Sequence, residues 1–157
     1  MLYDLEERVE EAFVAYLQAN VTGDMQVYTA FTDETLEYPC AVVVAASTSA
    51  VSDLAEYHSP RQMEIVVAVM TEAAPELDAT TGGTVRTARE RNAAARSDVI
   101  GALITSLKTN LIAAAGPGVA FSMAQIGGPV TRGLDEEQHA FVTTIPVDVI
   151  AEPVEVA

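Results

Sequence analysis

Cys40 is the only thiol in the chain, and with His58 as base and Asp53 as orienting acid it could form a nucleophilic triad. Such a triad works only if the base raises the thiolate fraction at neutral pH. The apolar run Cys40–Ala46 argues for the opposite environment, in which a thiol behaves as a small, buried, inert hydrophobe. His58 and His139 stand outside any metal-ligand spacing and are expected as loop or surface residues. Gly82-Gly83-Thr84 precede a helical segment, where backbone donors could hold a phosphate. The lysine of a P-loop and the glycine pattern of a dinucleotide fold are both missing, so these glycines are read as loop flexibility. Glu7, Glu10 and Glu11, and separately Asp135-Glu136-Glu137, offer hard oxygens for Ca²⁺ without an EF-hand pattern around them. Solvated acidic faces are expected there. No catalytic residue, metal site or cofactor is therefore assigned, and the chain is not read as an enzyme.

Arg86, Arg89, Arg91 and Arg96 are half of the eight basic residues, gathered at the start of a helical segment where the helix dipole disfavours cations. One reading pairs them with Glu90, Asp98 and other local acids. The other pairs them with acids of a neighbouring copy, since arginine is enriched at protein interfaces. Candidate interface residues are thus Arg86, Arg89, Arg91, Arg96 and Arg132, together with Asp135, Glu136 and Glu137, and Asp53, Glu56 and Tyr57 from a polar loop.

Against these 8 Lys and Arg stand 23 Asp and Glu, a formal charge of −15. That balance repels nucleic acid and anionic membrane, and no apolar stretch approaches the roughly 20 residues of a membrane helix. Half of the 157 residues are hydrophobic, which suits one folded domain over 1–150 with an extended tail over 151–157. A lone cysteine and an acidic, not basic, opening fit synthesis in a reducing cytoplasm without a signal peptide.

The elements that must position these residues follow from periodicity. Leu2, Leu5, Val9, Phe13, Tyr16 and Leu17 recur every three or four residues and predict an amphipathic helix ending near Asn20. Short β-rich runs follow at 26–31 and 39–47, then an alternating run at 62–71 that is apolar on both faces in its second half and is expected to be central. Residues 73–84 read as a flexible loop. One long helix is expected over 85–115, with Val99, Ile100, Leu103, Ile104, Leu107 and Leu111 at helical spacing and Gly116-Pro117-Gly118 as its stop. A hairpin of 119–126 with 138–150 closes the domain, and Pro146 suggests an edge strand or a bulge. The fold class is α+β: a mainly antiparallel sheet of about five strands, with an N-terminal helix and one long central helix packed on one face.

This order of elements resembles the tail terminator or tail completion proteins of long-tailed bacteriophages and their head–tail neck relatives. The residues carrying the resemblance are the opening helix 5–17, the Tyr38-Pro39-Cys40 step into the triple valine 42–44, the run 61–69, the long helix through Leu111, and the closing strand ending Val147-Asp148-Val149-Ile150. The resemblance implies a virion protein without catalysis that forms a homo-oligomeric ring, usually a hexamer. Such a ring caps the tail tube protein, meets the head–tail connector, and lets DNA pass through its lumen without specific binding. The loops 48–60, 73–84 and 127–137 would be its arms towards neighbours. The alternatives are a neighbouring neck protein, a small-molecule or thiol enzyme on an α+β sheet, or an adaptor that mimics nucleic acid through its acidic surface.

Overall fold

The computed structural model describes residues 5–22, 25–30, 35–50, 60–105, 107–114 and 118–154. Chain order is α1 (Leu5–Asn20), β1 (Gln26–Thr29), β2 (Cys40–Ala50), β3 (Arg61–Glu72), β4 (Glu76–Leu77), β5 (Thr84–Arg86), α2 (Ala88–Ile104), α3 (Leu107–Ala114), β6 (Val119–Ile126), β7 (Thr131–Asp135) and β8 (Ala140–Pro153). The main sheet runs β1-β2-β3-β8-β6, with β7 also paired to β8.

Strand alternation sends one set of side chains to the helices. Ala41, Val43, Met63, Ile65, Val67, Val69, Ile145, Val147 and Val149 are all buried there, in one cluster with Leu5, Val9, Phe13, Tyr16 and Leu17 of α1 and Val99, Leu103, Leu107 and Leu111 of α2 and α3. The alternate residues face away from the helices. Tyr28, Cys40, Met70 and Ala140 form a smaller buried cluster at one end of that second face, with Leu36, Tyr38, Val42 and Val142 packed against it. The Tyr16 hydroxyl donates to the Ala102 carbonyl and also lies 3.1 Å from that of Thr105, fixing α1 against the end of α2.

The α+β class holds, but the sheet is mixed, with about six strands and three helices. β1 runs parallel to β2, pairing Gln26–Thr29 with Cys40–Val43, whereas every other ladder of the sheet is antiparallel. The expected long helix is two. Thr105 leaves helical geometry at ψ 101°, and its hydroxyl donates to the Gly101 carbonyl, a local bond that competes with the helical ladder. Leu103, Leu107 and Leu111 keep a spacing of four across the break, so the hydrophobic pattern passes straight over it. Sequence also placed the helix start at Val85, whereas Val85 belongs to β5 and Thr87 caps α2.

The expected closing hairpin contains an additional strand. β6 pairs the outer part of β8 from Val147 to Pro153, and β7, from within the expected loop, pairs the inner part from Ala140 to Thr144. β8 therefore lies inside the sheet, and Pro146 falls where β6 has ended and β7 has not begun. The Pro146 carbonyl accepts Gly127 N there at 3.0 Å, and because a strand residue's N and O point to the same side, the missing donor opens onto that gap. Residues 73–84 hold β4, the turn and the start of β5, and the turn of this ribbon is closed by Asp78 Oδ1 accepting Thr80 N and Thr81 N at 2.7 and 2.9 Å. Residues 151–153, expected in an extended tail, belong instead to β8, with Ala151 buried and Val154 N bonded to Gly118 O; residues 155–157 lie outside the described residues. No helix among the described residues is long and apolar enough to cross a membrane.

Candidate functional site

The first turn of α2 is built by a capping box. Glu90 N donates to Thr87 Oγ1 and Thr87 N to Glu90 Oε1, at 3.2 and 3.3 Å. Two turns of helix then set Arg89 and Arg96 on one side, seven residues apart, while Arg91 leaves on the other. Arg91 donates to the Ala74 carbonyl at 3.0 Å and stands 3.7 Å from the Glu72 carboxylate. Arg86 and Arg91, with Glu76 and Asp98, line a small cleft of about 160 Å³.

Arg89 and Arg96 face a larger cleft of about 490 Å³ between α2 and β7, whose rim is completed by Arg132. The ladder explains this convergence. Arg132 pairs with Thr143 and Leu134 with Phe141, and residues opposite one another in a ladder share a face, so both project to the side of buried Thr143, where α2 lies. Phe141 and Leu134 give the cleft an apolar wall, and Leu134 remains 52% exposed. The expected pairing with local acids holds for Arg91 through Glu72 but fails for this trio. Glu90 is spent on the capping box, Asp98 accepts Thr22 Oγ1 at 3.0 Å, and Arg89, Arg96 and Arg132 form no ion pair with a described residue.

Sequence reasoning missed the device that seats the cleft. Asn92 is buried and donates to Thr71 Oγ1 at 3.1 Å and to the Phe141 carbonyl at 3.2 Å, while its own oxygen accepts from Thr143 Oγ1 at 2.9 Å. This satisfied network ties α2 to β3 and β8 directly beside the arginines. The signal was present: counting back from Leu103 and Val99, positions 95 and 92 fall on the same buried side of the helix.

The acidic candidates separate into two places. Asp135 Oδ1 accepts Glu137 N and Gln138 N at 3.1 and 3.2 Å, a turn that leaves Glu136 and Glu137 exposed at the tip between β7 and β8, beside the arginine cleft. The glutamates of α1 lie at the far end of the strands. Glu6 accepts from Thr48 Oγ1 at 3.0 Å, and Thr48 is level with Met63 of β3, whereas Asn92 is anchored to Thr71. Eight positions of β3 separate these levels, or about 25 Å at roughly 3.3 Å per residue. Glu7 and Glu11 of this acidic end are exposed.

Asp53, Glu56, Tyr57 and His58 lie outside the described residues, so the imagined triad has only Cys40 in view. Cys40 is buried, and desolvation pushes its thiol up to about 11, which leaves it protonated and unreactive at neutral pH. The Gly82-Gly83 donors are already used, Gly82 N by the Asp78 carbonyl and Gly83 N by Thr81 Oγ1, and they stand before β5, not at the cap of α2. Among the described residues no three His, Cys, Asp or Glu side chains gather as metal ligands would. No family model matches this chain, and no curated protein matches its sequence.

Proposed function

We propose that this chain is a structural subunit that closes into a ring at the head–tail junction of a long-tailed bacteriophage, as a tail terminator capping the tail tube. The reading rests on the resemblance in element order and on one observation of the structure: a cluster of arginines on α2 and β7 stands well apart along the strands from a cluster of glutamates on α1. A ring repeats one heterologous contact, so each subunit needs two different, complementary patches. The cleft, where Arg89, Arg96 and Arg132 outnumber Glu90 and form no ion pair with a described residue, and the acidic first turns of α1, about 25 Å apart, are such a pair. The overall charge of −15 suits a lumen along which DNA slides without gathering counterion-releasing phosphate contacts.

The native mass of the full chain tests this reading. Light scattering across protein concentration, with electron microscopy of the large species, should show closed rings of about six copies. Open fibres or two-fold dimers would refute ring closure. A second reading is favoured by the cleft itself, whose volume of about 490 Å³ lies in the range of small-ligand sites and whose three guanidinium groups suit a carboxylated or phosphorylated molecule. Binding of such a ligand by a chain that stays monomeric would establish that reading instead.

A further inference from the structure

Resting on the ring reading, we infer that the occupant of the Arg89, Arg96 and Arg132 cleft is the acidic first half of α1 from a second copy, entering through Glu7 and Glu11. Three of the chain's eight cations meet in this cleft, in a molecule whose long-range field repels every other copy of itself. Self-association therefore needs a place where the repulsion is locally reversed, and in this cleft three guanidinium groups that form no ion pair with a described residue converge from two elements.

Three properties select α1 over the other acids. First, Glu7 and Glu11 are one helical turn apart on the exposed side of a regular helix, at a spacing that two guanidinium groups on a cleft rim can meet. Second, four glutamates, Glu6, Glu7, Glu10 and Glu11, crowd the same end of α1, and an approaching cation relieves their mutual repulsion. Third, the acids at the β7–β8 tip lie beside the cleft, and adjacent complementary patches can satisfy each other in a self-complementary two-fold pair that stops at two copies. Patches at opposite ends of the strands join head to tail and continue. Leu134 and Phe141 then receive the aliphatic stems of the glutamates, while the carboxylates meet the arginines at the rim.

Charge reversal in the full chain tests the pairing. Arg89→Glu/Arg132→Glu and Glu7→Lys/Glu11→Lys should each associate at least about tenfold more weakly than the parent at low salt in sedimentation velocity. A one-to-one mixture should regain association, because each variant supplies the partner the other lacks. Circular dichroism checks that both are folded, and Glu7→Gln/Glu11→Gln replaces the lysine variant if α1 is weakened. Rings formed by the parent and undiminished in either variant would overturn the pairing and leave the ring reading standing. A mixture that associates only into open chains would uphold the pairing and remove the ring. Loss of association on Glu136→Lys/Glu137→Lys but not on Glu7→Lys/Glu11→Lys would overturn the pairing in favour of a two-fold contact. A parent that stays monomeric at every concentration would overturn both.

Discussion

Glu10 shows how a single residue can be both useful and costly. β1 covers the edge of β2 only as far as Val43, and beyond it Glu10 Oε2 accepts Ala45 N at 2.8 Å, at the point where β2 shifts register against β3. The carboxylate thus supplies an acceptor that no described strand provides. Its position on the buried side of α1 raises its pKa, first by desolvation and then by repulsion from Glu7, Glu6 and Glu11, with the Ala45 bond working the other way. Because the folded pKa lies above the ordinary 4.5, the folded state prefers the proton. Stability from this group is therefore lost as pH rises through the folded pKa, and is recovered as pH falls towards 4.5. Glu10→Gln keeps an oxygen for Ala45 and removes the charge. The variant should be more stable than the parent at pH 7 in urea titrations, and the difference should shrink as pH falls to 4.5. A gap that is constant with pH would mean that the carboxylate is not what the buried position opposes.

At the scale of elements, α2 decides where the arginines stand, and Asn92 decides where α2 stands. Removing its amide in Asn92→Ala strands the Thr71 and Thr143 hydroxyls and the Phe141 carbonyl, at a cost of about 1–3 kcal/mol. Denaturant melts should show that loss, and cleft-dependent association should weaken with it, since Arg89 and Arg96 lose their seat. A stable Asn92→Ala with unchanged association would show that the helix is held by its apolar side alone. Much of this element level was legible. The buried sides of α1 and α2 follow from three- and four-residue spacing, and the central place of β3 from its two apolar faces. What escaped was set by tertiary partners. Nothing in Gln26–Thr29 dictates a parallel neighbour, and Thr131–Asp135 becomes a strand only because β8 offers an unpaired edge below Pro146. The arginine run was visible as a charge cluster, but Arg132 joins Arg89 and Arg96 only through the β7–β8 register, which has no local signature.

For the whole molecule, charge acts in two opposing directions, and salt separates them. Within one copy, 23 acids against 8 bases make the folded state repel itself, so screening should stabilise the monomer. Between copies, the proposed contact joins exposed charges of opposite sign, so screening should weaken association. Raising NaCl from about 0.02 M to about 0.3 M shortens the screening length from roughly 20 Å to about 6 Å, below the distance between the α1 glutamates and the arginine cleft. In a dilute, monomeric sample the Tm should therefore rise by a few degrees over that range. At high protein concentration the same change should dissociate the assembly, as followed by sedimentation velocity. An apolar contact through the face of the sheet turned away from the helices would instead grow stronger, or stay constant, with salt. Association that survives about 0.3 M NaCl would thus move the interface from the arginine cleft and the α1 glutamates to that face.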